Sequence, residues 1–152
     1  MSLLPPLLGT GLLPRLQSFV MTTKLHPILV NLTAALLPVS YFSDLLGTIR
    51  KSDALRSTGW HAMVYAMLAT PFTAITGWLF WMPDDVGVEG MTIHKWLGTA
   101  FVVVLLGAFR WRWSLQRRKQ APGLGYFLFG GLVVILLVYQ GHLGGDQVFS
   151  GM

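Results

Sequence analysis

Four histidines are the side chains of this sequence best suited to chemistry: His26, His61, His94 and His142. Imidazole is a good ligand for Fe, Cu and Zn. The chain has no cysteine, which excludes thiolate ligation, disulfides and covalent c-type haem attachment. No Gly-rich phosphate loop, nucleophile–base triad or close pair of catalytic carboxylates accompanies the histidines. The histidines are therefore candidates for binding a cofactor or a metal ion.

The composition indicates that the solvent around these residues is lipid. Of the 152 residues, 53% are hydrophobic and only 11% are charged, whereas about a quarter of a soluble domain is charged. A surface so poor in charge would not stay dispersed in water. The net charge of +5 lies in short connections between apolar runs, so we infer that the partner is the lipid bilayer and not nucleic acid.

Four apolar segments are long enough to cross a hydrocarbon core, which takes about 20 helical residues. They run over about 27–47, 60–81, 93–109 and 124–143. Because the connections are short, consecutive helices should be antiparallel neighbours. The predicted fold is all-α, an integral membrane up-down four-helix bundle. A transmembrane domain over 25–152 would follow an extra-cytoplasmic N-terminal interfacial arm over 1–24.

The arm is rich in apolar residues that could seat a short amphipathic helix on the outer membrane interface. A partner-binding arm is the competing interpretation. The apolar residues are Leu3, Leu4, Leu7, Leu8, Leu12, Leu13, Leu16 and Phe19.

Basic residues predict the orientation of the bundle. Eight of the eleven lysines and arginines follow the first or third segment, and the other three are Arg15, Lys24 and Lys95. Cytoplasmic loops carry the excess of Lys and Arg. The prediction is a multi-pass protein of the bacterial inner (cytoplasmic) membrane with both termini periplasmic. The eight residues are Arg50, Lys51, Arg56, Arg110, Arg112, Arg117, Arg118 and Lys119.

This topology brings three histidines to one level near the outer face, because His26 and His94 begin helices and His142 ends one. Side chains on facing helices of a bundle can build a haem or metal site. The alternative for each histidine is an amphipathic side chain at an interfacial helix end. His61 lies near the inner end, where Asp44 is its predicted hydrogen-bond partner in a tie between helices.

Short motifs recur along the chain in a characteristic order. They are Leu25-His26-Pro27-Ile28-Leu29-Val30-Asn31, Asp44 late in the first helix, Thr76-Gly77, His94 opening the third helix, and Gly144-Gly145. Together they resemble a bacterial membrane family labelled domain of unknown function 2231, over roughly residues 25–149. The resemblance implies a four-helix fold but no activity.

Many members of that family carry a second histidine where this chain has Asn31. The resemblance therefore makes His142 the candidate for a compensating group. Relatives fused to cytochrome or iron–sulfur domains associate the family with redox chemistry.

The leading hypothesis is a membrane-anchored electron-transfer subunit that binds b-type haem near the outer face. His94 and His142 are the preferred axial pair, His26 ranks next, and Lys24 and Lys95 would meet the haem propionates. Bis-histidine ligation leaves no open position for oxygen. The protein would therefore be a non-catalytic electron-transfer or accessory subunit of a respiratory or photosynthetic complex. Its partners would be quinone and other membrane or periplasmic redox subunits.

Three alternatives remain open. His26, His94 and His142 could hold Cu or Zn, with Asp146 nearby. The chain could be a cofactor-free scaffold within a membrane complex. One histidine on an apolar helix could also ligate the magnesium of a chlorophyll.

Overall fold

The computed structural model describes residues 11–80 and 89–149, and in the second range the side chains of 92–145. These residues form five helices and no strand. Four of the helices, α2 to α5, are long and apolar enough to cross a membrane, which confirms the predicted all-α membrane bundle. The helices are α1 (Leu12–Thr22), α2 (Leu25–Ile49), α3 (Asp53–Phe80), α4 (Glu89–Arg117) and α5 (Leu124–Phe149).

The four long helices form a closed square in which each helix packs against the next, and α5 returns to α2. Consequently α2 and α4 occupy opposite corners. The turns α2–α3 and α4–α5 lie at one end, called here the basic end. The opposite end, at which α2 and α4 begin with His26 and His94, is called here the histidine end. The buried core between them consists of Leu37, Met63, Ala66, Phe101, Leu105, Ala108 and Val133.

The outward faces carry large exposed apolar side chains at helical spacing, as lipid-facing surfaces do. Helices that are apolar on all faces are typical of membrane spans. On α3 the exposed residues include Tyr65, Leu68, Phe72 and Ile75, and on α5 they include Leu128, Leu132, Ile135 and Val138.

Small residues allow α2 and α3 to approach closely. A Cβ on Gly47 would lie 2.8 Å from the backbone nitrogen of Arg56. The Ser40 hydroxyl donates a hydrogen bond of 2.8 Å to the carbonyl of Gly59, and the Thr33 and Thr73 hydroxyls are 3.3 Å apart. Such small and hydroxylated contacts stabilise helix pairs in lipid, where burial of apolar surface does not.

The N-terminal arm contains the expected short helix, α1, which packs against α2 and α3. Its side chains Leu12, Leu13, Leu16 and Phe19 are exposed, so an apolar face remains open at its surface. Leu3, Leu4, Leu7 and Leu8, which were predicted to belong to the same apolar face, lie outside the described residues. The division into an arm over 1–24 and a bundle over 25–152 stays a prediction.

A buried ion pair joins the four spanning helices near the basic end. The Arg112 guanidinium donates two hydrogen bonds to the Asp44 carboxylate, from Nε at 2.7 Å and from Nη2 at 3.0 Å. Asp44 is 0% exposed and Arg112 is 1% exposed. The Tyr126 hydroxyl on α5 donates to Asp44 Oδ2 at 3.2 Å, and Arg112 Nη2 also donates to the carbonyl of Arg56 on α3 at 3.0 Å.

The predicted Asp44–His61 pair is wrong. His61 is exposed, and its Nδ1 lies 2.8 Å from the carbonyl of Ser57 on its own helix. The side chain of Asp44 points instead into the bundle, where a Cβ on Gly59 would lie 2.5 Å from Asp44 Oδ1. The two residues share a level but not a face, and Arg112 is the stronger partner because it carries a permanent charge.

The assignment of Arg110, Arg112 and Arg117 to a loop is also corrected, because α4 continues to Arg117 rather than ending near Phe109. An arginine can enter the interior here because Asp44 neutralises it. All three residues remain at the basic end, so the charge asymmetry that predicts the orientation is unchanged.

Asp44→Asn should destabilise the protein by about 3–5 kcal/mol, because it leaves the buried Arg112 charge without a counter-charge. Asp44→Asn combined with Arg112→Gln should recover much of that loss, because both charges are then absent. Thermal unfolding in detergent measures both variants. His61→Ala is the control, expected to change stability by less than about 0.5 kcal/mol because the side chain is exposed. If Asp44→Asn alone were as stable as the parent protein, the ion pair would not have the stabilising role described here.

The orientation of the bundle can be tested with single cysteines, because the natural chain has none. Thr22→Cys lies at the histidine end and Gln120→Cys in the α4–α5 turn, and both positions are exposed. In intact cells an impermeant maleimide should label Thr22→Cys at once and Gln120→Cys only after permeabilisation, because cytoplasmic loops are the basic ones. Labelling of Gln120→Cys from outside would invert the predicted orientation.

Candidate functional site

His26, in the first turn of α2, has its ring held against α3. Its Nδ1 lies 3.0 Å from the carbonyl of Thr73 and 3.4 Å from the Thr76 hydroxyl. A carbonyl oxygen can only accept a hydrogen bond, so Nδ1 carries the proton. In the neutral ring Nε2 therefore keeps a lone pair that can bind a ligand.

A glycine makes room for this ring. A Cβ on Gly77 would lie 2.9 Å from Cε1 of His26, so the imidazole rests directly on the backbone of α3. The Phe80 ring contacts its other side, with 5.9 Å between ring centroids. Backbone, glycine and phenyl ring together fix the orientation of the imidazole.

His94 repeats the arrangement between α4 and α5. Its Nδ1 lies 3.1 Å from the carbonyl of Gln140, and the Gln140 side-chain amide donates a hydrogen bond of 2.8 Å to the carbonyl of His94. A Cβ on Gly144 would lie 2.8 Å from Cε1 of His94. Gly98 in turn leaves space for the Gln140 amide, whose Nε2 would be 2.9 Å from an added Cβ.

The two histidines thus form a matched pair at one end of the bundle, on its opposite corners. Within the described part of the chain neither Nε2 makes a hydrogen bond. Metal-binding histidines typically donate their second ring N–H to a carbonyl or carboxylate, and both of these imidazoles have that partner in place.

The other predicted site residues lie outside this pair. His142 is exposed on α5. The Lys95 ammonium lies over the Trp78 ring, 3.6 Å from its centroid, and the Trp78 indole N–H donates to the Thr99 hydroxyl at 3.0 Å. Lys24 is exposed in the turn between α1 and α2, with φ 51°.

A three-ligand metal centre is not assembled by the side chains that the structure describes. Among them no group of three His, Cys, Asp or Glu residues could hold a metal ion. The side chain of Asp146, the predicted neighbour of a Cu or Zn site, lies outside the described residues. The site of His26, His94 and His142 with Cu or Zn therefore stays a prediction.

Sequence reasoning missed the groups that hold the two histidines. Gln140 carried a usable signal, because it is a polar side chain inside the apolar run of α5. Gly77 and Gly144 were noted only as parts of motifs. Their level on α3 and α5, opposite the first turns of α2 and α4, could be read from the sequence, but the side of the helix on which they lie could not.

The helices define the chain as an all-α membrane protein with four candidate spans. A family model described as "Predicted membrane protein (DUF2231)" matches residues 22–151, and the chain belongs to this family. The match includes all four candidate spans and confirms the resemblance seen in the sequence motifs. No curated protein and no solved structure matches the chain.

Gly144→Ala should destabilise the protein by about 1–3 kcal/mol, because the new methyl group would overlap the His94 ring and force a shift. Gly145→Ala is the matched control, since its Cβ would meet nothing within 4 Å. It should be neutral or stabilising by up to about 1 kcal/mol through helix propensity. Thermal unfolding in detergent measures both, and equal effects would contradict the packing of His94 on α5.

Proposed function

We propose that this protein is a membrane-anchored electron-transfer subunit that binds b-type haem between His26 and His94. The observation that carries the proposal is the repeated support of the two imidazoles. Each donates its Nδ1 proton to a carbonyl of a neighbouring helix and rests on a glycine, which leaves Nε2 available. Two imidazoles supported in this way could supply the two ligands of a bis-histidine haem.

The donor set fits haem better than a lone metal ion. A haem iron needs only two protein ligands, whereas structural or catalytic Zn sites use three or four. Three imidazoles lie at the histidine end, but the described side chains form no group of three His, Cys, Asp or Glu that could hold a metal ion. His26 on α2 and His94 on α4, at opposite corners of the bundle, would hold the haem between them.

Haem iron supplies one-electron transfer when it is bound, and its axial ligands and their hydrogen bonds tune its potential. The chain's own residues would orient the two imidazoles and present Nε2 of each to the iron. Two such ligands would leave no position for oxygen. Lys24, exposed at the same end, would meet the propionates, while the Lys95 ammonium already lies over Trp78.

The site would lie near one membrane interface, a level that both a quinone headgroup and a water-soluble partner can reach. By the excess of Lys and Arg at the opposite end, this interface would be the periplasmic one. Electron transfer between a quinone and other membrane or periplasmic redox subunits is the role that this placement supports. The protein would act as an accessory subunit of a larger respiratory or photosynthetic complex.

The proposal can be tested on protein purified from its native membrane. The reduced-minus-oxidised visible spectrum should show a b-type haem, and His26→Ala or His94→Ala should remove at least about 90% of it, because an axial ligand is lost. His61→Ala is the control, since that side chain is exposed at the basic end and bonds its own helix. Its spectrum should equal that of the parent protein.

His142→Ala discriminates between the two possible axial pairs. A retained spectrum supports His26 with His94. If His142→Ala loses the haem spectrum and His26→Ala retains it in full, the axial pair is instead His94 and His142. Parent protein without any haem would overturn the proposal, and elemental analysis for Cu and Zn would then separate a metal-binding protein from a cofactor-free scaffold.

A further inference from the structure

We propose that the basic end of α4 binds the phosphate headgroup of an anionic phospholipid. A groove of about 550 Å³ runs along the last turns of this helix. Three arginines line its rim and two tryptophans flank it. This site is separate from the two histidines, which lie at the opposite end of the bundle.

The charge at the groove is not neutralised by the protein. The rim arginines, Arg110, Arg117 and Arg118, are exposed, and neither ion pair in the described part of the chain includes them. The carboxylates of the basic end, Asp44 and Asp53, are occupied by Arg112 and Arg56. Three guanidinium groups without a carboxylate match the charge and the hydrogen-bonding geometry of phosphate.

The floor of the groove is open beside the arginines. A Cβ on Gly107 would meet nothing within 4 Å. Gly107 lies one turn before Arg110 on the same face, toward the middle of the span. A ligand here would have a charged head at the arginines and an apolar part beside the glycine, which describes a phospholipid rather than a free anion.

The walls of the groove are held in place by their own packing. Trp111 contacts Tyr126 and Phe129, with ring centroids 6.1 Å and 6.0 Å away. Trp113 packs on Phe109 at 5.6 Å. Indole rings at this level are typical of the membrane interface, so they mark the depth at which phosphate headgroups lie.

Basic pockets of this kind at the side of membrane helices are suited to anionic headgroups, and each basic residue near the surface strengthens binding about fivefold. Tetraoleoyl cardiolipin is the probe, because its two phosphates can engage all three arginines. In mixed micelles with an equal amount of phosphatidylcholine, native mass spectrometry should find the full-length protein with cardiolipin bound preferentially.

The variant Arg110→Gln/Arg117→Gln/Arg118→Gln should weaken cardiolipin retention on the order of 100-fold, since three such contributions are lost. Arg50→Gln/Lys51→Gln/Lys119→Gln is the matched control: it removes three charges at the same end and outside the groove, and should retain nearly the parent's cardiolipin. Gly107→Leu keeps every charge but fills the floor, and should weaken retention several-fold.

Two results would overturn the proposal. The first is an equal loss in the control triple variant, which would mean diffuse attraction to the basic end. The second is unchanged retention in Gly107→Leu together with displacement of the bound lipid by inorganic phosphate, which would mean an anion site without a lipid. Both measurements are independent of haem content, so they do not depend on the proposed electron-transfer function.

Discussion

The buried pair of Asp44 and Arg112 is the constraint on which the rest of the bundle depends. Neither charge could remain in an apolar interior alone, because an unpaired buried ion costs several kcal/mol. The pair is satisfied only when α2 and α4 stand at opposite corners with these side chains turned inward, while α3 and α5 contribute a carbonyl and a hydroxyl. This one interaction thereby sets the rotation of each helix about its own axis. The apolar surfaces of the helices alone would permit many different rotations.

The rotation of the helices also determines which neighbouring helix each imidazole contacts at the histidine end. With Asp44 and Arg112 facing inward, the first turns of α2 and α4 place His26 on α3 and His94 on α5, where glycines receive them. The two ends therefore differ in their chemistry. The basic end contains a buried ion pair and has a cationic surface around it, whereas the histidine end holds imidazole rings against the backbone of the neighbouring helices.

The sequence predicted the number of spans, their approximate positions and the level of each histidine, because apolar length and the rise of a helix fix depth. It could not predict rotation about the helix axes, since helices that are apolar on all faces carry little phase information. The errors follow this division. Asp44 and His61 do lie at one level but face different directions, and Arg112 looked like a loop charge because its carboxylate partner lies 68 residues away. His142 illustrates the same limit: its depth was foreseeable from its place at the end of α5, and its exposed face was not.

The separation of Asp44 and Arg112 along the chain has a consequence for biogenesis. Asp44 is synthesised as part of the first hairpin, α2 and α3. Its counter-ion, Arg112, becomes available only after α4 has been synthesised. Until then the hairpin carries a carboxylate that is costly to bury in lipid. The first two spans are thus not a self-sufficient unit, and the second hairpin completes them as it inserts. The order of translation and the folding of the bundle are in this way coupled through a single charge.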